Sequence, residues 1–142
     1  MPRHVLVAYD ESPQAKKALD LAIREFGDAK LSVLHIIDPA EAGSGRRFSL
    51  PTFPQEWYEN AREDANRQLA EASDLATEAG LEVETAVVVG RTARSIVEYA
   101  EENDCDHIVT GSHGRSGVSR ILLGSVAETV IRRSPVPVTV VR

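Results

Sequence analysis

Residues 107–125 read HIVTGSHGRSGVSRILLGS, an apolar strand-like segment followed by a long connector with spaced glycines. The connector between a strand and a helix in an α/β unit typically has about 2–6 residues, and this one is longer. Ser125 directly follows the last glycine, Gly124, where a new helix is predicted to begin. Since long loops without secondary structure of their own are uncommon unless they have a function, the stretch indicates a functional strand-to-helix junction.

Outward from this junction, strand-like and helix-like segments alternate along the chain. Apolar and β-branched residues predict strands at 3–9, 31–37, 81–89, 107–110 and 136–141. Apolar residues at helical spacing predict helices that begin at Pro13, at Gln55, after Gly90 and at Ser125. Ser12 is predicted to cap the first helix, because serine before proline suits the N-cap and first helical positions.

Two finer expectations concern burial. The segment 81–89 ends in a continuous apolar run, which predicts a strand buried on both faces. In the last helix, over 125–133, the residues predicted to point inward are Val126, Val130 and Ile131.

The alternation predicts an α/β fold, a single-domain, doubly wound parallel five-stranded sheet of Rossmann-like type with helices on both faces. With five strands the natural strand order is 3-2-1-4-5. In such a sheet the ligand crevice lies beyond the carboxyl ends of strands one and four, where the winding reverses. The stretch that begins at Gly111 is therefore expected to lie at that crevice.

Composition agrees with one globular domain over residues 1–142. Hydrophobic residues make up 42% and charged residues 27%, which are ordinary fractions. No apolar run approaches the roughly 18 residues of a spanning helix, and no signal peptide is evident, so we expect a soluble cytoplasmic protein without a membrane partner. The net charge of −6 disfavours a nucleic-acid partner. Residues 38–54, with Gly43-Ser44-Gly45 and three prolines, are expected to form an irregular, mobile loop, either a lid or a disordered segment.

Cysteine and lysine usage excludes two kinds of chemistry. The single cysteine, Cys105, stands between Asp104 and Asp106, and because these carboxylates raise the thiol pKa, an inert thiol is favoured over a reactive one. All three lysines lie at position 30 or earlier. A P-loop needs a lysine in GxxxxGK[ST], so Walker-type phosphate binding is excluded.

The junction has the parts of a phosphate cradle. Glycine allows the backbone to approach a ligand closely, and a helix N-terminus offers unpaired N–H groups and a favourable dipole. We expect the N–H groups of Gly114, Ser125 and Val126 to bind phosphate oxygens, with charge from Arg115 or Arg120. The alternative is a flexible loop in which Ser125 is an ordinary N-cap.

The pattern G-x2-G-x9-G-[ST], met by Gly111, Gly114, Gly124 and Ser125, resembles the ATP-binding motif of the universal stress protein family. The resemblance extends over almost the whole chain, through VLVAYDES at 5–12, VLHIID at 33–38 and LLGSVAETVIRRSPVPVTVV at 122–141. It implies an adenine nucleotide alpha hydrolase-like fold that binds ATP, ADP or AMP, with Mg²⁺ able to bridge the phosphates. It also implies a stress-response role in which the nucleotide acts on a regulatory switch.

The resemblance further implies roles for individual residues. The nucleoside would be faced by Ala8, Tyr9 and Asp10, and the adenine read by the backbone of Ile36. The ribose would be bordered by Gly111, Ser112 and His113. The phosphates would be held by Gly114, Arg115, Gly124, Ser125 and Val126. No catalytic residue is assigned.

Several of these residues have structural alternatives. Asp10 could instead stabilise the N-terminus of the first helix. His113 could be a general base, but a structural or ribose-edge role is favoured because no orienting acid is evident near it. Arg91 could reach either the crevice or the solvent. The other histidines lack mutual spacing for a metal site: His4, His35 and His107.

Three functions remain open at this point: an adenine-nucleotide-binding regulatory module, a slow ATPase or phosphoryl-transfer enzyme, and a structural dimer without ligand. The last strand has an apolar edge, and such edges invite pairing. The family resemblance implies a homodimer through strand 136–141, carried by residues 138–141 because Pro137 has no N–H. The alternative is a lone edge strand blunted by Pro137.

Overall fold

The computed structural model describes residues 2–40, 55–113 and 123–142. The strands are β1 His4–Ala8, β2 Lys30–Ile37, β3 Val83–Val89, β4 His107–Gly111 and β5 Val138–Val141. The helices are α1 Pro13–Glu25, α2 Gln55–Glu78, α3 Thr92–Glu102 and α4 Ser125–Arg133. Within the described ranges, no helix is both long and apolar enough to cross a membrane.

The five strands form one parallel sheet in the order β3-β2-β1-β4-β5. Val7 pairs with Val33 of β2 on one side and with Val109 of β4 on the other, so β1 is the central strand. The predicted α/β class and strand order are confirmed, and the carboxyl ends of β1 and β4 lie side by side where the winding reverses.

Two apolar layers cover the two faces of the sheet. One packs α1 and α2 on the sheet through residues such as Leu19, Val33 and Leu69. The other packs α3 and α4 on the opposite face through Ile96 and Val130. Helices on both faces are therefore confirmed.

Local sequence signals explain how α1 begins and how β5 is placed. The Ser12 hydroxyl accepts a hydrogen bond from the N–H of Ala15, with Pro13 at the first helical position, as predicted. Pro137 cannot donate, and β5 begins only at Val138, but the Pro137 carbonyl accepts from the N–H of Ile108 at 3.0 Å. The proline therefore still takes part in the pairing of β5 with β4.

Two burial expectations are wrong. β3 is an edge strand, and Val89 is 43% exposed, because apolar composition does not reveal whether a strand has one neighbour or two. In α4 the buried residues are Ala127 and Val130, whereas Val126 and Ile131 are exposed. Of the loop predicted at 38–54, the structure describes 38–40, where Pro39 and Ala40 have helical backbone, and the rest lies outside the described residues.

The amino-terminal edge of the sheet is fastened by Asp106. One oxygen of its carboxylate accepts hydrogen bonds from the backbone N–H groups of Arg3 and His4, at 2.8 and 3.0 Å. These bonds lower the pKa of Asp106 below its ordinary value. Nearby, burial and the Asp106 carboxylate raise the pKa of Cys105 to about 11, as the acidic neighbours in the sequence predict.

We expect Asp106→Ala to lower the free energy of unfolding near neutral pH, because the start of β1 loses its acceptor. A carboxylate whose folded-state pKa is depressed stabilises the protein above its unfolded pKa, 3.8 here, and that stability is lost as the pH falls through the folded value. Urea unfolding at several pH values measures the effect. The gap between wild type and variant should shrink below about pH 4, and a gap that persists in acid would contradict this account.

Candidate functional site

The loop after β1 is held rigidly at the carboxyl edge of the sheet. One carboxylate oxygen of Asp10 accepts from the N–H of Ser12 at 3.0 Å. Glu11 has a φ of 69°, a conformation that is uncommon for a residue with a side chain. Its carboxylate lies 3.1 Å from the Arg67 guanidinium of α2. Asp10 therefore bonds the backbone at the start of α1, and its contact with a ligand stays a prediction.

Tyr9 and Ala8 divide between the two faces of the sheet. The Tyr9 ring is buried in the layer under α1 and α2, and burial, with help from the Glu71 carboxylate, raises the pKa of its phenol. Ala8 packs on the layer under α3 and α4. The Tyr9 carbonyl accepts from Nδ1 of His35 at 2.9 Å. The crevice consequently meets the backbone of Tyr9 rather than its ring.

Ile36 lies on β2 beyond the end of β1. The last backbone bond between these strands runs from the N–H of Tyr9 to the carbonyl of Leu34, at 2.9 Å. The alternation of a parallel ladder directs the N–H and carbonyl of Ile36 to this same side. Among the described residues no backbone hydrogen bond joins either group to the loop after β1. Ile36 therefore presents a backbone donor and a backbone acceptor next to the loop after β1. The edge of a planar heterocyclic base pairs with such a donor and acceptor.

Glycine at 111 is needed because β4 ends against α1. A Cβ built there would lie 2.7 Å from Cβ of Gln14 and 3.2 Å from the backbone nitrogen of Ala15. Two elements that carry predicted site residues, the end of β4 and the start of α1, are therefore in direct contact. Close packing, not a positive φ, explains this glycine.

Gly124 brings the far end of the connector back to β4. Its N–H donates to the Ser112 carbonyl at 2.7 Å, and a Cβ there would lie only 2.8 Å from the same oxygen. The structure makes Gly124 the N-cap residue of α4 and Ser125 the first helical residue, so Ser125 is not the cap. In the described part of the chain, the N–H groups of Ser125, Val126 and Ala127 have no acceptor. This is the geometry with which helix termini bind anions.

Ser112 and His113 adjoin that terminus. Ser112 is fully buried, and its hydroxyl has no hydrogen-bond partner among the residues that the structure describes. A buried hydroxyl without a partner costs free energy, so a position of this kind favours a bound polar group that can pair with it. His113 is half-buried, with its Cα 3.4 Å from the position of a Cβ on Gly124. The predicted phosphate contacts Gly114 and Arg115 lie outside the described residues.

A cavity of about 470 Å³ opens beside this junction, between the start of α3 and one stripe of α4. Its volume falls in the range of small-ligand sites. The lining residues are Asp38, Arg91, Thr92, Ala93, Arg94, Ser125, Val126, Thr129 and Arg133. The cavity shares Ser125 and Val126 with the predicted site, and Arg91, which is exposed to solvent, also lines it.

Sequence reasoning missed the other charged residues of the cavity. Asp38 accepts from both the N–H and the hydroxyl of Thr92, at 3.2 Å each, and so caps α3 across the cavity floor. Arg94 and Arg133 belong to no sequence motif. The strand order could have indicated these residues, because residues that follow β2 and β3 lie at the same edge of the sheet as the start of α4.

The remaining histidines serve the framework. His4 bonds the Ser32 hydroxyl at 2.7 Å, and His107 bonds the Thr139 hydroxyl at 2.7 Å. Burial lowers the pKa of His107. Over the described ranges, no group of three or more His, Cys, Asp or Glu residues is placed to hold a metal ion.

The protein has a doubly wound α/β fold. Its glycines build the junction between β4 and α4, beside the point where the winding of the sheet reverses. A model of the universal stress protein family matches residues 1–142. Universal stress protein YxiE of Bacillus subtilis is 33% identical over an alignment that covers 97% of each chain. Universal stress protein MJ0577 of Methanocaldococcus jannaschii is 32% identical over an alignment that covers 100% of this chain and 96% of the relative.

Solved structures agree with this assignment. The structure of MJ0577 superposes with a TM-score of 0.84 at 33% identity and covers 98% of this chain and 94% of that one. A universal stress protein solved in complex with cAMP gives a TM-score of 0.67 at 31% identity, with 99% and 97% coverage. This chain belongs to the universal stress protein family.

We expect Gly111→Ala to destabilise the protein by about 1–3 kcal/mol, the usual cost of overpacking, because the new methyl group meets the backbone at the start of α1. Gly27→Ala is the matched control, since its Cβ would make only an ordinary contact of 3.6 Å with the Ile23 carbonyl. Urea unfolding compares the two variants. Equal stabilities would show that β4 and α1 do not pack as closely as described.

Proposed function

We propose that this protein binds an adenine nucleotide at the carboxyl edge of its sheet and acts as a nucleotide-dependent regulatory module in the stress response. One observation carries the proposal: among the residues that the structure describes, no side chain caps α4, and the buried hydroxyl of neighbouring Ser112 has no hydrogen-bond partner. Both features are unfavourable in an empty site and both are satisfied by an anionic ligand with acceptor oxygens.

The phosphate end of the ligand is assigned to this junction. The N–H groups of Ser125 and Val126 would donate to phosphate oxygens, and Gly124 would let the phosphate approach the backbone closely. Ser112 would add its hydroxyl. Gly114 and Arg115 complete the proposed set from the part of the connector that lies outside the described residues.

The nucleoside end is assigned to the loop after β1 and to β2. The backbone of Ile36 offers a donor and an acceptor to the adenine edge, beyond the last rung between β1 and β2. Asp10, with the backbone of Ala8 and Tyr9, would face the ribose side, next to Gly111 and His113. The bonds that fix this loop through Ser12 and His35 favour a preformed pocket over one that orders on binding.

A relative supports the class of ligand. The universal stress protein of 31% identity was solved with cAMP, an adenine nucleotide. For this chain we propose ATP, ADP or AMP, with Mg²⁺ held mainly by the phosphates, because Mg²⁺ is commonly bound by phosphates and few protein ligands. We further propose that residues 1–142 act as one domain in the cytoplasm.

A second copy of the chain is the proposed partner. β5 is an edge strand that pairs only with β4 among the described strands, and its four residues are all half-buried. An apolar edge of this kind is a template for pairing with another strand. We propose an antiparallel homodimer through Val138–Val141, outside the nucleotide crevice.

Adenine nucleotides are expected to raise the melting temperature of the wild-type protein. Ser112→Ala should weaken this shift, since the ligand loses a donor, while the free protein keeps or gains stability because an unpaired buried hydroxyl is removed. Gly124→Val should abolish the shift, because its side chain would meet the Ser112 carbonyl. Thermal denaturation with ATP, ADP and AMP measures all three proteins.

Gly27→Ala serves as the control, and it should keep the full shift. A wild-type protein that shows no shift with any of the three nucleotides would overturn the proposed function. The phosphoryl-transfer alternative would prevail if purified protein hydrolysed ATP at an ordinary enzymatic rate, about 1 s⁻¹ or faster.

We expect light scattering to show a dimer at micromolar concentration. Val140→Lys should shift the protein towards a monomer, because a charged residue on an edge strand discourages pairing. Leu75→Lys is the control, an equally drastic change at an exposed apolar residue of α2, 54% exposed and away from β5. A wild-type monomer would contradict the dimer.

A further inference from the structure

We propose that Arg91, Arg94 and Arg133 extend the nucleotide site into a groove that binds the outer phosphates of a nucleoside di- or triphosphate. The inference rests on the proposed function, and it names the class of nucleotide that this chain prefers. It concerns the cavity of about 470 Å³ beside α4, which the phosphate junction only borders.

The groove has a charge opposite to that of the whole chain. The protein has a formal net charge of −6, yet three guanidinium groups and one carboxylate, that of Asp38, line this cavity. The Asp38 carboxylate is already engaged, since one oxygen accepts from Thr92 and the other accepts from the N–H of Ala40 at 3.0 Å. These bonds hold the carboxylate in place without removing its charge, and the three guanidinium groups still outnumber it, so the cavity keeps an excess of positive charge for an anion.

The arginines themselves are largely uncommitted. Among the described residues, neither Arg91 nor Arg133 has a carboxylate within ion-pair distance, and Arg94 has only Glu98 at 3.7 Å. The neighbouring Arg132, by contrast, pairs with Glu128 at 2.9 Å and does not line the cavity. Planar guanidinium groups bind phosphate oxygens in a bidentate way.

The placement of these residues favours a ligand with more than one phosphate. Ser125, Thr129 and Arg133 are spaced four residues apart, so they form one stripe along α4, and Ser125 and Arg133 are about 12 Å apart along the helix axis. A single phosphate at the N–H groups of Ser125 and Val126 occupies the first turn only. A chain of two or three phosphates can leave that turn and enter the cavity, which Arg91 and Arg94 line from the start of α3 and Arg133 from α4. Monophosphates lack the groups that would use this part of the site.

Calorimetric titration with AMP, ADP, ATP and inorganic tripolyphosphate tests the groove. Arg91→Gln and Arg133→Gln are each expected to weaken ATP and tripolyphosphate binding about tenfold, the loss of one charge-assisted interaction, and to leave AMP binding unchanged. Arg132→Gln is the matched control on the same helix and should bind all four ligands as the wild type does. Far-UV circular dichroism and urea unfolding check that the variants fold alike.

The outcomes separate this inference from the proposed function. If AMP and ATP bind, but both lose affinity equally in the variants or neither loses any, the groove is wrong and the nucleotide site stands. If tripolyphosphate binds and is lost in the variants while no adenine nucleotide binds, the groove stands only as a polyanion site, and the nucleotide preference and the proposed function are wrong. If the wild type binds none of the four ligands, both are overturned.

Discussion

The hydrogen bond from the N–H of Gly124 to the carbonyl of Ser112 fixes the geometry of the site. It joins the end of the long connector to the end of β4, at 2.7 Å, and the space leaves no room for a side chain on Gly124. The start of α4 is thereby held at the carboxyl edge of the sheet, beside the switch point between β1 and β4. This one contact brings the first N–H groups of α4 next to the buried Ser112 hydroxyl.

The loop after β1 is restrained by side chains of β2 and α2. His35 bonds the Tyr9 carbonyl and Arg67 pairs with Glu11, so β2 and α2 both restrain the loop after β1. Glu11 retains an unfavourable φ of 69° within these restraints. Backbone strain of this kind tends to be kept where geometry serves a function.

Much of the fold could be predicted from sequence because its signals are local. The Ser12-Pro13 cap, the alternation of strands and helices and the strand order all follow from short patterns and from the right-handed crossover rule. The predicted inward face of α4 is wrong because successive residues in a helix are about 100° apart. Ala127 and Val130 occupy that face, and Val126 does not. The β3 error has a different cause, since an apolar run does not show that a strand lies at the edge.

The contact between β4 and the start of α4 could be predicted from the sequence because its glycines and Ser125 are close together in one motif, and phosphate binding there stays a proposal. The arginine groove could not, because Arg91 and Arg133 are far apart in the chain and meet only through the parallel sheet. Sequence left the direction of Arg91 open, and no motif marks Arg94 or Arg133. Tertiary proximity of this kind becomes visible only when the carboxyl ends of the strands are brought to one edge.

Backbone amide chemical shifts measured during a titration with ATP test the central claim most directly. The account predicts that the largest saturable changes occur at the amides of Ser125, Val126 and Ile36, the two ends of the proposed site. Amides at the amino edge of the sheet, such as His4 and Cys105, should stay unchanged. Changes centred on that opposite edge, or no saturable change at Ser125 and Val126, would contradict it.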